Sequence, residues 1–261
     1  MRVVDGRLKI LDIWVDTVNM QQALAKVSEF VDEGNRLYTV FASNPEKNFS
    51  FPADPFLYRM FRTADMLVPD GIGMVLAARI LYGRKLSRVP GCELMQNVCA
   101  MSAVKGYKIF IYGARDEVNK KAVETLKNRF PDIQIVGHCN GYLPREKMDD
   151  LVAQINDSGA QIMFLALGSP SQERWIAEYG DKLKQIRVCQ GIGGTLDVIA
   201  GVVERAPEIY CRLGLEWFYR LIEDPNRIKR QKVLPIFAVL VAIEKGKMLM
   251  AKYGFAHKPN G

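Results

Sequence analysis

From Lys108 onward the chain alternates short apolar runs with longer amphipathic stretches. The runs are KIFIYG, IQIVGH, QIMFLALG and IRVCQGIG; between them lie DEVNKKAVETLKNRF, REKMDDLVAQIND and SQERWIAEYGDKL. Brief apolar runs of this length predict strands, and stretches with apolar positions every three to four residues predict helices. Strand–helix units in series predict a Rossmann-like parallel sheet with helices on both faces over residues 106–204. Several of these strands end in Gly-containing loops that lead into helices. In such folds ligands bind outside the carboxyl ends of the strands.

Residues 1–105 are less regular and predict a smaller α/β lobe. RLKILDIWV alternates apolar and polar residues like one half-buried strand. Thr17 or Asn19 is placed to cap a helix over MQQALAKVSEFVDE, closed by Gly34. LYTVFAS predicts a second strand, and SNPEKN a turn that opens a helix. DMLVPDGIG predicts a short strand, a turn and the start of a helix reaching to about Tyr82. GRKLSRVPG reads as a basic loop and CELMQNVCAMSAV as a helix. Beyond Ala206 the pattern is helical, punctuated by Pro207, Pro225 and Pro235, so residues 205–261 form a helical appendage.

Charge separates that appendage from the rest. Residues 205–261 hold eleven Lys or Arg against five Asp or Glu, a surplus of six out of the chain's net +7. The body is therefore nearly neutral, and it carries no recognisable nucleic-acid module, so nucleic acid is not expected as a partner. The longest apolar run, VLPIFAVLVAI at 233–243, would as a helix cover about half of a hydrocarbon core roughly 30 Å thick. It suits a buried helix, a subunit contact or an interfacial segment, not a bilayer span. Cys92, Cys99, Cys139, Cys189 and Cys211 form an odd, scattered set, which points to a reducing compartment. Met1–Ile10 is polar and charged, so no secretory signal is expected there.

Four segments carry candidate chemistry, each with an ordinary alternative. In GIGGTLDVIAG, Gly191, Gly193 and Gly194 stand where a strand gives way to a helix holding Asp197. Backbone N–H groups there favour an anion such as a diphosphate, and a tight strand–helix turn explains them equally well. In GSPSQERW, Gln172 and Glu173 occupy the first turn of a helix at the same sheet edge. They read either as ligand contacts or, for Glu173, as a complement to the helix dipole. ADMLVPDGIG offers two carboxylates, Asp65 and Asp70, although Asp before Gly is a routine turn residue. SRVPG contributes Arg88 from a loop.

Absences narrow the chemistry. The glycines do not fit G-x-G-x-x-G, and no acidic residue stands at the ribose distance from Gly191, which disfavours a nicotinamide-dependent oxidoreductase. There is no Asp-x-Asp, and two histidines, His138 and His257, do not build a metal cluster with scattered cysteines. Neither a P-loop nor a G-x-S-x-G elbow occurs. No metal and no cofactor are expected.

Taken together, AD-x-x-x-PDG-x-G, R-x-x-G, GSP-x-QE, G-x-GG-x-x-D-x-x-AG, RAP and EW-x-x-R-x-x-x-x-P-x-R-x-x-R are similar to the WecB/TagA/CpsF glycosyltransferases over roughly residues 8–232. The resemblance implies metal-independent, inverting transfer from a UDP-sugar donor to an undecaprenyl-diphosphate-linked sugar acceptor. It places the chain peripherally at the cytoplasmic face of the cell membrane. It makes Asp70 the general base and Arg88 a second catalytic group. Asn44, Gln172 and Glu173 become substrate contacts, and Arg220, Arg227 and Arg230 contact the lipid diphosphate or the leaving group. The chain departs from the family's Thr-x-Asn at Ala42-Ser43-Asn44, which leaves N-acetylmannosamine, glucose or another hexose as donor sugar. The tail then docks on an anionic membrane surface, with a homo-oligomer off the membrane as the other use of its apolar run. A non-catalytic nucleotide-binding membrane adaptor is the remaining rival.

Overall fold

The computed structural model describes residues 3–4, 6–204, 207, 209–210, 218–219 and 232–252. Its centre is a six-stranded, all-parallel sheet in the order β5-β4-β9-β8-β6-β7. The strands are β4 (Tyr38–Ser43), β5 (Met66–Pro69), β6 (Lys108–Gly113), β7 (Gln134–Cys139), β8 (Ile162–Ala166) and β9 (Val188–Gly191). Every residue of β8 and β9 is buried, as expected for central strands covered on both faces, and this explains why they read as unbroken apolar runs. The sheet passes across position 105 without a break, because β4 pairs with both β5 and β9.

Helices cover both faces. They are α1 (Met20–Asp32), α2 (Lys47–Ser50), α3 (Pro55–Thr63), α4 (Ile72–Tyr82), α5 (Gly91–Lys105), α6 (Asp116–Arg129), α7 (Met148–Asp157), α8 (Ser171–Tyr179), α9 (Thr195–Ile199) and α10 (Val233–Lys252). On α1 the Asn19 side chain accepts the Gln22 N–H while Gln22 returns a bond to the Asn19 N–H, a reciprocal cap. The buried residues form two apolar clusters, one centred on Phe41, Phe110 and Met163, the other on Val40, Ile111 and Phe164. Neighbouring residues of one strand fall in different clusters, as the period of two in a strand requires.

One local expectation is corrected, and one helix is present that the apolar pattern does not announce. RLKILDIWV is not one strand: β2 (Arg7–Ile10) and β3 (Ile13–Asp16) form an antiparallel hairpin, with β1 (Val3–Val4) beside β2. Leu11 makes the turn at φ +53°, a conformation unusual for a branched residue, and no Gly or Asn marks it in the sequence. The hairpin covers the edge strand β5, where Asp16 Oδ2 accepts the Leu67 N–H at 2.7 Å and Arg7 binds both Asp16 oxygens. Helix α3 is the second difference. It is capped by Asp54, whose Oδ1 accepts two N–H groups, and starts on Pro55, a signal the apolar pattern hides.

The C-terminal α10 lies along α4 in the same direction. Phe237 packs near Gly73 at the start of α4, and Lys245 Nζ donates to Leu81 O at its end. Pro235 falls in the first turn of α10, where a missing N–H costs nothing. Phe237 and Val241 are buried, while Ile236, Val239, Leu240 and Ile243 remain exposed. Among the described residues no helix is long and apolar enough to cross a membrane.

Candidate active site

Parallel strands send all their carboxyl ends to one edge, and the order β5-β4-β9-β8 brings four of the resulting loops side by side. Between them is a cavity of about 330 Å³. The β4 loop supplies Ala42, Asn44 and Lys47, the β5 loop Asp70, the β8 loop Ser169 and Gln172. The β9 loop adds Gly191, Gly193, Gly194 and Asp197, and Pro90–Cys92 at the start of α5 closes the remaining side.

Asp70 is held by its backbone. Its N–H donates to Ser43 O at 2.9 Å, extending the β4–β5 pairing by one residue. Gly71 then turns at φ +82°, which an L side chain resists, and α4 begins at once. The half-buried carboxylate thereby stands at the cavity at the head of a helix. Asp65 has another role at the opposite end of β5. It accepts the Thr39 N–H at 2.8 Å and pairs with Arg36 at 2.5 Å, and it is not among the residues that line the cavity.

Alternation along β4 sorts the next residues. Ala42 faces the cavity, whereas Ser43 is fully buried and donates to Trp14 O at 2.7 Å on the other side. The hydroxyl of Ser43 therefore does not stand in for one at position 42. Asn44 Oδ1 accepts the Lys47 N–H at 3.2 Å, which fixes the turn into α2. Across the cavity, Gln172 is 4% exposed and its Oε1 accepts the Gly193 N–H at 3.2 Å. A Cβ on Gly191 would collide with the Gln172 amide, so that close approach requires glycine. Gln190 Nε2 donates to Gly91 O at 3.0 Å, anchoring the first turn of α5 to β9.

The family model described as Glycosyl transferase WecG/TagA/CpsF family matches residues 8–249. The chain is 33% identical over 249 residues to the N-acetylglucosaminyldiphosphoundecaprenol N-acetyl-beta-D-mannosaminyltransferase of Staphylococcus aureus strain MRSA252, covering 95% of this chain and 96% of the relative. Proteins of the same name from Bacillus subtilis strain 168 and Bacillus spizizenii are 32% and 34% identical. Those matches cover 87% and 81% of this chain and 90% and 81% of the relatives. The chain belongs to this glycosyltransferase family. Neither the oxidoreductase nor the adaptor reading finds support in that membership.

Of the family positions expected to act, Asp70, Asn44, Gln172, Gly191, Gly193, Gly194 and Asp197 all line the one cavity. Arg88 does not line it. It is half-buried in the loop before α5, which Val89 ties to β5 by donating to Pro69 O at 2.8 Å. Glu173 is also absent from the lining: it is fully buried and pairs with Lys47 at 3.1 Å. Arg220, Arg227 and Arg230 lie outside the described residues. Lys47 is among the lining residues that reading the sequence missed, since a lysine in a polar turn looks solvated and its partner is 126 residues away.

His138 and Cys99 are not among the residues that line the cavity. His138 at the end of β7 lies 2.8 Å from Asn119 Oδ1, and burial, then the nearby Lys127 and Lys120, hold its pKa below the usual value. Burial pushes the Cys99 thiol up to about 12, which makes it inert packing. No group of three His, Cys, Asp or Glu among the described residues is arranged to hold a metal ion.

Proposed function

We propose that this chain is an inverting, metal-independent transferase that moves a hexose or N-acetylhexosamine from a UDP-sugar to an undecaprenyl-diphosphate-linked sugar. The observation that carries this reading is the position of Asp70, at the head of α4 in a cavity it shares with Asn44, Gln172 and the Gly191–Gly194 loop. The relatives' names supply the substrates: an N-acetylmannosaminyl group and an N-acetylglucosaminyl-diphosphoundecaprenol acceptor.

In the proposed reaction the Asp70 carboxylate removes the proton from an acceptor hydroxyl as that oxygen attacks the anomeric carbon. The new C–O bond forms on the face opposite UDP, the bond to the diphosphate oxygen breaks, and UDP leaves with the electron pair. General-base assistance of this kind is worth about 10²–10⁴ in rate. The departing diphosphate gains negative charge, which Arg88, Arg220, Arg227 and Arg230 are suited to balance. The Gly194 N–H, next to the Gly193 N–H that Gln172 accepts, suits the donor diphosphate for the same reason.

The acceptor is lipid-linked, so the cavity must work at a membrane surface. Helix α10 begins beside the start of α4, next to the Asp70 loop, and exposes Ile236, Val239, Leu240 and Ile243. Apolar side chains on one side of a helix, flanked by basic residues, suit the headgroup region. We read the protein as peripheral at the cytoplasmic face, docked through residues 205–261.

The test is UDP release from a panel of UDP-sugars with a synthetic polyprenyl-diphosphate-linked N-acetylglucosamine acceptor. Acceptor-dependent release from one donor, unchanged by EDTA, is expected, and that donor names the sugar accommodated beside Ala42. No release from any donor by folded, vesicle-bound protein contradicts the reading.

A further inference from the structure

At the cavity, with Lys47 in its lining and Glu173 buried behind it, stands an ion pair to which the proposed reaction assigns no role. Lys47, in the first turn of α2, and Glu173, in the first turn of α8, meet with Nζ 3.1 Å from Oε1. Their side chains are 7% and 1% exposed. The ammonium lies over the rings of Phe51 and Phe61, at 4.9 and 4.8 Å from their centroids. Ser169 Oγ donates to the same Glu173 oxygen at 3.0 Å, and Gln172 Nε2 approaches it at 3.4 Å. Glu173 Oε2 is buried and accepts no hydrogen bond among the described residues.

Such a pair is a poor source of stability. Withdrawing both charges from water costs much of what their attraction returns, and apolar side chains of similar volume often do as well or better. Its connections offer another reason for its presence. Lys47 is tied to Asn44 through its backbone N–H, and Glu173 adjoins Gln172, whose carbonyl holds the Gly193 N–H. One chain of contacts thus runs from Asn44 through Lys47, Glu173 and Gln172 to Gly193, joining the loops after β4, β8 and β9.

We propose that Lys47 and Glu173 are positioning residues that clamp the two walls of the cavity at a fixed separation. One wall carries Asn44 and, through the β4–β5 pairing, Asp70; the other carries Gln172 and the Gly191–Gly194 loop. The inference rests on the glycosyltransferase reading: the base and the nucleotide-sugar belong to different walls, so their alignment depends on the clamp. Neither residue exchanges a proton or bonds to a reacting atom. The pair acts by holding Asn44 and Gln172 in register, and a misplacement of about 1 Å in such a site costs on the order of a hundredfold in rate.

Lys47→Met or Glu173→Gln alone leaves an uncompensated buried charge and is expected to unfold the protein or weaken it severely. The informative variant is the charge-free double Lys47→Met/Glu173→Gln, with Glu173→Asp beside it. Glu173→Asp keeps the charge and shortens the reach by one methylene. Three quantities are measured on each: thermal unfolding, UDP affinity by calorimetry, and kcat and KM for acceptor-dependent UDP release. The clamp predicts that the double variant folds, binds UDP within about threefold of wild type, and loses at least about tenfold in kcat. Glu173→Asp should lose kcat in the same sense with UDP binding kept, which tests the clamp even if the double variant does not fold. A folded double variant, or Glu173→Asp, with kcat at the wild-type level overturns the clamp. So does a loss confined to UDP affinity. A wild-type protein that transfers no sugar overturns the glycosyltransferase reading and the clamp with it, whereas an active wild type with an unaffected variant overturns the clamp alone.

Discussion

The two ends of β5 each carry an aspartate, and the molecule places them in opposite surroundings. At the amino end, Asp65 accepts the N–H and hydroxyl of Thr39 and pairs with Arg36, so its oxygens join β5 to β4. At the carboxyl end, the strand pairing is continued by the Asp70 backbone N–H, and the side chain stands in the cavity. The amino edge of the sheet is closed by bonds within the protein. The carboxyl edge is held open by loops after four neighbouring strands. Two carboxylates five residues apart in ADMLVPD thus differ because a parallel sheet gives its two edges different work.

The largest effect expected from this contrast is on Asp70→Asn. Turnover should fall by about 10²–10⁴, with UDP affinity and thermal midpoint near those of wild type. Activity within a few-fold of wild type would remove Asp70 as the base. Replacing Arg220, Arg227 and Arg230 together by Ala should come next. Basic residues near an anionic leaflet contribute about 1 kcal/mol each, so partitioning onto anionic vesicles should drop by roughly a hundredfold. Sedimentation and activity that match wild type would contradict docking through the tail. Asp65→Ala should give the smallest change and the opposite profile. It leaves the Thr39 N–H without its acceptor, at a cost of about 1–3 kcal/mol, and lowers the thermal midpoint by several degrees with kcat intact below that midpoint. A loss of kcat without a loss of stability would erase the distinction between the two edges.

The cavity was legible in the sequence to the extent that its residues sit in short strand-to-loop segments. Asn44, Asp70 and Gln172 each follow a predicted strand and the glycines from 191 to 194 stand at the end of one, and a parallel sheet brings such positions to one edge without further information. What the pattern does not contain is the order of the strands. That β9 lies beside β4, so that Gln172 and Asn44 face one cavity, depends on pairing between segments about 150 residues apart. Lys47 was hidden for the same reason, since its ion-pair partner Glu173 comes from a segment 126 residues away. The hairpin turn at Leu11 was missed on different grounds. Leu11 takes φ +53° with no Gly or Asn to mark the turn, and the hairpin it closes is held on β5 by the Asp16–Leu67 bond.

The most direct test of the central claim, that the nucleotide-sugar occupies the cavity after β4, β5, β8 and β9, uses two half-buried thiols on the same edge of the sheet. Cys92 lines that cavity, while Cys139 ends β7 outside it. Alkylation of each would be followed by mass spectrometry with and without saturating UDP-sugar. The account predicts that ligand slows the reaction of Cys92 and leaves Cys139 unchanged. Protection of Cys139 with Cys92 reacting as before would place the donor at the other end of the sheet and contradict it.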